Sequence, residues 1–172
     1  MSEKEAFYWW LTGFVEAEGS FVIGVHQPKN RKSPKIRAMI QMASHGRDLP
    51  LLRYIQKETG IGRVYTYNDG MASLYVSKKD DIKRLIKIFD AYPFRSTRVR
   101  KNFELFKEGF EILLRRDKRK FETDEEGKNL PKLTMDEIRR LEEIRNNMNL
   151  YCGKKSGSAA TARYHDSILD LF

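Results

Sequence analysis

Sulfur chemistry is almost missing from these 172 residues: there is one cysteine, Cys152, and only three scattered histidines, His26, His45 and His165. A single thiol cannot close an intrachain disulfide, and a cysteine-based zinc site is excluded with it. Long apolar runs are missing too, since none approaches the roughly 20 residues that a membrane-spanning helix requires. The opening stretch, MSEKEAFYWWLTGF, carries Glu3 and Glu5 ahead of its apolar run and lacks the basic region of a signal peptide. The expectation is a chain without membrane association that works inside the cell, in the cytoplasm of a prokaryote or an organelle of a eukaryote.

Bulk and positive charge are what the chain does have. Forty per cent of its residues are hydrophobic, with ten Phe, eight Tyr and two Trp, enough for a real core and too many for a disordered tail. Thirty-three Lys and Arg against 24 Asp and Glu give a net charge of +9. A surplus of that size favours a polyanionic partner, because phosphate contacts and counterion release supply most non-specific affinity.

Periodicity orders the elements. Residues 5–16 read as a helix that is apolar over most of its circumference and therefore needs cover, including from a second copy of itself. Residues 20–26 and 35–43 alternate as strands around a polar turn at 27–34. Asp48 caps a helix that carries Pro50 in its first turn and ends at Gly60. The runs RVYTY and MASLYVS flank Asn68-Asp69-Gly70, a strong hairpin signal. An amphipathic helix over 78–92 stops at Pro93, a longer basic helix covers 97–118, and a mixed-charge loop spans 119–133. The last long helix starts at Thr134, Asp136 and Glu137 and reaches about residue 149. The predicted class is α+β in the order α-ββ-α-ββ-α with extra helices, an antiparallel sheet carrying its helices on one face. One domain, 1–150, is expected, followed by a C-terminal tail, 151–172, that either docks as a short helix or stays loose.

Strand parity sorts the sheet residues. Ile36, Ala38, Ile40 and Met42 share one face. The opposite face gathers Ser20, Val22, Gly24, His26, Lys35, Arg37, Met39, Gln41, Tyr65, Tyr67, Ser73 and Tyr75. Cationic, amide and phenolic groups in that arrangement suit a DNA groove, where phosphates position and base edges specify. A one-residue slip in register would replace many of them.

One segment dominates the reading: Leu11-Thr12-Gly13-Phe14-Val15-Glu16-Ala17-Glu18-Gly19-Ser20-Phe21. Gly13 has no side chain, so two such helices can approach closely, with Trp9 or Trp10, Leu11 and Phe14 around the contact. Glu18 falls where helix gives way to strand, and the helix dipole disfavours an anion there. Two copies about a two-fold axis would bring two Glu18 carboxylates together, and a divalent cation removes their repulsion. Hard oxygen donors suit Mg²⁺, with Mn²⁺ able to substitute.

The segment closely resembles the LAGLIDADG motif of homing endonucleases, in the variant ending Glu-Gly-Ser-Phe, and the likeness extends over about residues 5–118. The resemblance implies that fold, a sheet saddle with helices on one face, and a double-strand DNA endonuclease of the intron-encoded homing type. It also implies that the backbone carbonyl of Ala17 reaches the metal beside Glu18 and that Glu16, at the motif's first acidic position, is structural. Gln41 fits a position that holds water or contacts DNA near the metal. Arg98, with Arg100 as the fallback, fits the basic position that stabilises charge. An arginine there cannot act as a base near neutral pH, so its role is electrostatic and the water-activating group stays open.

No second copy of the motif occurs. Single-motif members pair, so a homodimer is expected, with Trp10, Leu11, Gly13 and Phe14 at the interface and a pseudo-palindromic site. Four strands per subunit would span on the order of 10 base pairs each. The alternative is an intron maturase that uses the same fold on its intron RNA, and Glu18 speaks against it because a pure maturase needs no metal ligand. A non-catalytic regulator would carry a helix-turn-helix extension, which residues 97–150 do not resemble. A basic ribosomal protein leaves residues 11–21 unexplained.

Overall fold

A computed structural model describes residues 1–26, 35–119 and 132–150, together with Thr123 and Glu125. The turn expected at 27–34, most of the 119–133 loop and the 151–172 tail lie outside the described residues, as do the side chains of His26 and Lys35. The element order is α1 (Glu3–Glu18), β1 (Gly19–His26), β2 (Lys35–His45), α2 (Leu49–Thr59), β3 (Arg63–Thr66), β4 (Met71–Val76), α3 (Lys79–Ala91), α4 (Thr97–Arg119) and α5 (Met135–Leu150). This is the α+β class expected, with the helices and strands in the expected sequence.

The four strands form one sheet in the order β1-β2-β4-β3. Strand β4 pairs antiparallel with β2 on one side, Gln41 opposite Tyr75 and Ala43 opposite Ser73. On its other side it pairs antiparallel with β3, Arg63 opposite Tyr75 and Tyr65 opposite Ser73. Only eight residues, 27–34, separate β1 from β2, too few for a parallel crossover. As neighbours in the sheet β1 and β2 are therefore antiparallel, and the end of β2 runs beside the start of β1.

Local chemistry explains the element ends. Ser2 caps α1 through a reciprocal box, its hydroxyl accepting from the Glu5 amide at 3.2 Å while the Glu5 carboxylate accepts from the Ser2 amide at 2.6 Å. Helix α2 ends at Gly60 in the left-handed region, φ +64°. Its start differs from expectation. Asp48 stands at the cap position, but its carboxylate makes no cap bond and instead accepts the Ser44 hydroxyl at 2.8 Å. Residues 46–48 form a 3₁₀ turn ahead of the helix, which carries the Asp48 side chain back to the end of β2.

The chain divides into two compact units. The first, Met1–Val22 with Met39–Lys101, is cored by Leu11, Val15, Ile40, Met42, Leu52, Ile55, Leu74, Val76, Leu85 and Phe89. The second comprises Ile23–Ala38 and the described residues from Asn102 on. Ile23, Ile36, Phe106, Phe110, Leu113, Ile138, Leu141 and Ile144 are buried there. A Cβ on Gly109 would lie 3.0 Å from Ile23 and 3.5 Å from Ile144, so the absence of a side chain sets this packing distance. Two bidentate arginine–carboxylate pairs tie α5 to α4: Arg119 on Glu137 at 2.6 and 2.7 Å, and Arg140 on Glu108 at 2.6 and 2.8 Å. Thr134 and Glu137 cap α5 reciprocally, as that Thr-x-x-Glu spacing predicts.

Candidate functional site

The end of α1 is built around two carboxylates with different duties. Glu16 accepts from the backbone amide of Arg95 at 3.3 Å and from that of Ser96 in a shorter contact. It thereby holds the segment that opens α4, whose first turn is capped by Ser96 through the Val99 amide at 3.4 Å. An anion at that positive helix end is favoured by the dipole, and Glu16 is the structural member of the pair. Glu18, the last residue of α1, is exposed. It sits at a negative helix end whose last turn holds no basic residue, a position that favours a nearby cation.

Gly19 makes this junction possible. Its backbone is extended, φ −91° and ψ 152°, so conformational freedom is not the reason for glycine. A Cβ there would stand 2.4 Å from the Val15 carbonyl oxygen and 2.6 Å from its Cγ1. Helix thus converts to strand within one residue, directly after Glu18. Because the helix stops at Glu18, the Ala17 carbonyl has no amide four residues on within α1.

Gln41 and Arg98 come from other elements of the same unit. Gln41 lies in the part of β2 that runs beside the start of β1, and its Nε2 donates to the Ser73 hydroxyl at 3.2 Å. Arg98 is exposed in the first turn of α4, two residues beyond the Ser96 amide that Glu16 holds. Arg100 is exposed as well.

On the sheet, Ile36, Ala38, Ile40, Met42, Ala72, Leu74 and Val76 are buried, while Arg37 and Tyr65 are exposed and Met39, Gln41 and Tyr75 half-buried. Tyr65 meets Tyr75 edge-on at 5.6 Å across β3 and β4. Tyr67 is exposed just past the end of β3, and Ser20 and Val22 are half-buried on β1. Two sequence assignments need correction. Ser73 faces the expected way but is 2% exposed, because β4 is a central strand and Gln41 covers its hydroxyl. Gly24 is buried rather than open. Two basic residues were not singled out: Arg63, exposed and opposite Tyr75, shares its parity with Tyr65 and Tyr67. The other is Arg95; its guanidinium lies 5.6 Å over the Trp9 ring.

The exposed side of α1 carries Trp10, Gly13 and Ala17, a row at helical spacing, with Phe14 half-buried beside it. Trp10 stacks on Phe14 at 5.7 Å and remains 40% exposed, and nothing lies within 4 Å of a Cβ built on Gly13. Leu11 is a correction: it is 0% exposed and belongs to the core of its own unit. Aromatic contacts flank the row on both sides, Phe7 to Tyr54 of α2 at 5.7 Å and Trp9 to Tyr92 at 5.3 Å.

Among the described residues no three His, Cys, Asp or Glu side chains cluster as a metal site. The Glu18 carboxylate and the Ala17 carbonyl are hard oxygen donors at an exposed helix end, a donor chemistry that fits a hard divalent cation, though alone they are too few to enclose one.

Similarity to known proteins matches this arrangement. Residues 11–110 fit the sequence model of a family described as LAGLIDADG endonuclease. A probable intron-encoded endonuclease, Cox1-I1b of Schizosaccharomyces pombe, is 30% identical over 111 residues, 64% of this chain and 28% of that protein. A probable intron-encoded DNA endonuclease 1 of Mycosarcoma maydis is 31% identical over 102 residues, 58% of this chain and 36% of that protein. The chain thus spans between about a quarter and a third of the length of these two relatives. Among solved structures, the LAGLIDADG homing endonuclease I-GzeII in complex with its DNA target superposes with a TM-score of 0.64 at 29% identity, over 83% of this chain and 45% of that one. The homing endonuclease I-TnaI shares the fold at a TM-score of 0.66 and 24% identity, over 87% of this chain and 90% of that one.

Proposed function

Since this chain belongs to the LAGLIDADG endonuclease family, we propose that it is one half of a homodimeric, Mg²⁺-dependent DNA endonuclease of the intron-encoded homing type, cutting a long pseudo-palindromic site. Residues 1–150 form its nuclease domain in this reading. The observation that carries it is Glu18, exposed at the end of α1 one residue before the strand that begins the sheet.

In this reading the row Trp10, Gly13, Ala17 packs against the same row of a second copy. That contact sets the two Glu18 carboxylates and the two Ala17 carbonyls about one axis. Together with DNA phosphate oxygens and water they would supply the oxygen donors of a divalent cation. Bound Mg²⁺, or Mn²⁺ in its place, supplies Lewis-acid polarisation and a water of lowered pKa. Gln41, steadied by Ser73, orients water or a DNA group beside Glu18. Arg98 faces the negative charge that grows on the phosphate and acts electrostatically, since its guanidinium stays protonated. Glu16 keeps α4 and Arg98 in place. Met39, Arg37, Tyr65 and Tyr75 lie against base edges, and Ser20, Val22 and Tyr67 contact sugar and phosphate.

Glu18→Gln tests the assignment. The expected outcome in Mg²⁺ is unchanged duplex affinity with double-strand cleavage reduced by at least ~10³-fold, the order lost when a group that stabilises the transition state is removed. Unimpaired cutting by the variant would remove Glu18 from the mechanism. The maturase reading predicts tight intron-RNA binding with no cleavage by the wild-type chain, and nothing in the structure favours it.

A further inference from the structure

Between α2 and the outer strand β3 lies an open depression of about 450 Å³, of whose lining the reading above uses only Tyr65. We propose that it is a phosphate cradle for the DNA backbone, formed by Arg53 of α2 and Arg63 of β3; the proposal rests on the chain being a DNA endonuclease.

The lining is made of donors. Arg53 and Arg63 both line the depression, both are exposed, and neither has an ion-pair partner among the described residues. Among the described residues no acidic one lines it, in a chain with 24 of them. Two guanidinium groups beside one hollow repel each other unless an anion comes between them. The backbone adds to this. Tyr67 donates to the Met71 carbonyl at 2.9 Å, so in the β3–β4 ladder residues 63, 65 and 67 form the hydrogen-bonded pairs. The amides of Val64 and Thr66 are accordingly directed away from β4, toward the sheet edge where the depression lies. Gln56 contributes little, since its Nε2 already donates to the Gly62 carbonyl at 2.9 Å.

Paired guanidinium forks with edge amides suit a phosphodiester, which accepts on two oxygens and carries one charge. Arg63 stands opposite Tyr75, which stands opposite Gln41, so a duplex lying along that row reaches Arg63 at its outer end. A phosphate contact there would position the duplex without reading its sequence.

Salt-dependent binding separates a phosphate contact from a base contact. The full chain, Arg63→Ala, Arg53→Ala and Arg63→Lys are titrated by fluorescence anisotropy with two duplexes of equal length, one selected by cleavage from a randomised pool and one scrambled. The expected result is a loss of about 5- to 10-fold for each alanine variant on both duplexes alike, with the slope of log Kd against log salt falling by about 0.9. Arg63→Lys should keep the slope. Alanine variants that bind like wild type would overturn the proposal. So would a loss confined to the selected duplex, which would make Arg63 a base reader. A wild-type chain with no salt-dependent affinity for either duplex would overturn the endonuclease reading itself, a different outcome from the first two.

Discussion

Two glycines and one carboxylate carry most of the meaning at the scale of single residues. Among the described residues nothing lies within 4 Å of a Cβ built on Gly13, and the proposed dimer gives its missing side chain a purpose. Gly13→Ala should raise the stability of the isolated chain by about 1 kcal/mol through helix propensity while weakening self-association, checked by thermal melts at low concentration and by sedimentation. A variant more stable and equally dimeric would remove α1 from the interface. Gly19 has the opposite character, because a Cβ there meets the Val15 backbone at 2.4 Å and the backbone must shift. Gly19→Ala should cost about 2 kcal/mol and displace Glu18, so cleavage falls further than DNA affinity does, read from paired melting, cleavage and binding assays. The positions of Glu18 at the end of α1 and of Gly13 on its exposed side, and the sheet parity, were legible in the sequence, since motif spacing and a two-residue period need no knowledge of neighbours. Leu11, Ser73 and Gly24 were misjudged for one reason. Parity and helical spacing give the face of a residue, whereas its depth depends on which strand is central and on what covers the helix.

At the scale of elements, the order of helices and strands followed from hydrophobic period and turn chemistry, with ends displaced by one or two residues. The lateral strand order β1-β2-β4-β3 did not follow, because it depends on non-local pairing. The cap of α2 also escaped prediction: Asp48 had the residue type and position, but Ser44 of the preceding strand competes for it. The turn after α2 is more constrained than its Gly60-Ile61-Gly62 spelling suggests. Gly62 has φ +78°, and a Cβ there would fall 2.6 Å from the Tyr75 carbonyl oxygen. Gly62→Ala should therefore destabilise by at least about 2 kcal/mol in denaturant unfolding.

The α4–α5 pairing makes a pH prediction. The Arg119 guanidinium bonded to Glu137 holds that carboxyl down at about 2, from the usual 4.5, and the Arg140 guanidinium lowers Glu108 as well. A carboxylate whose folded-state pKa is depressed stabilises fully above its unfolded value and loses that contribution as pH falls toward the folded one. For Glu137, whose side chain is 13% exposed, the contribution is on the order of 3 kcal/mol at neutral pH. It should vanish between about pH 4.5 and 2. Urea midpoints should decline across that window in wild type and flatten in Glu137→Gln; an equal decline in both would show that this pair does not govern acid sensitivity.

At the scale of the whole molecule, the +9 charge, the cationic and phenolic sheet positions and a single Glu18 per chain belong to one design. On the proposed function, positive charge would draw the duplex in, the sheet would hold it, and two helix ends would bring together what one chain holds only half of. Sequence made the charge and the single motif plain, but it could not place Arg53 and Arg63 beside a common hollow, because α2 and the edge strand meet only in the fold. The most direct test is the number of chains on a cleavable duplex, measured by sedimentation of the full chain with labelled DNA in Ca²⁺ and compared with cleavage in Mg²⁺. The account predicts two chains per duplex and double-strand cutting that disappears when the pair is diluted apart. One chain per duplex cutting both strands would contradict it.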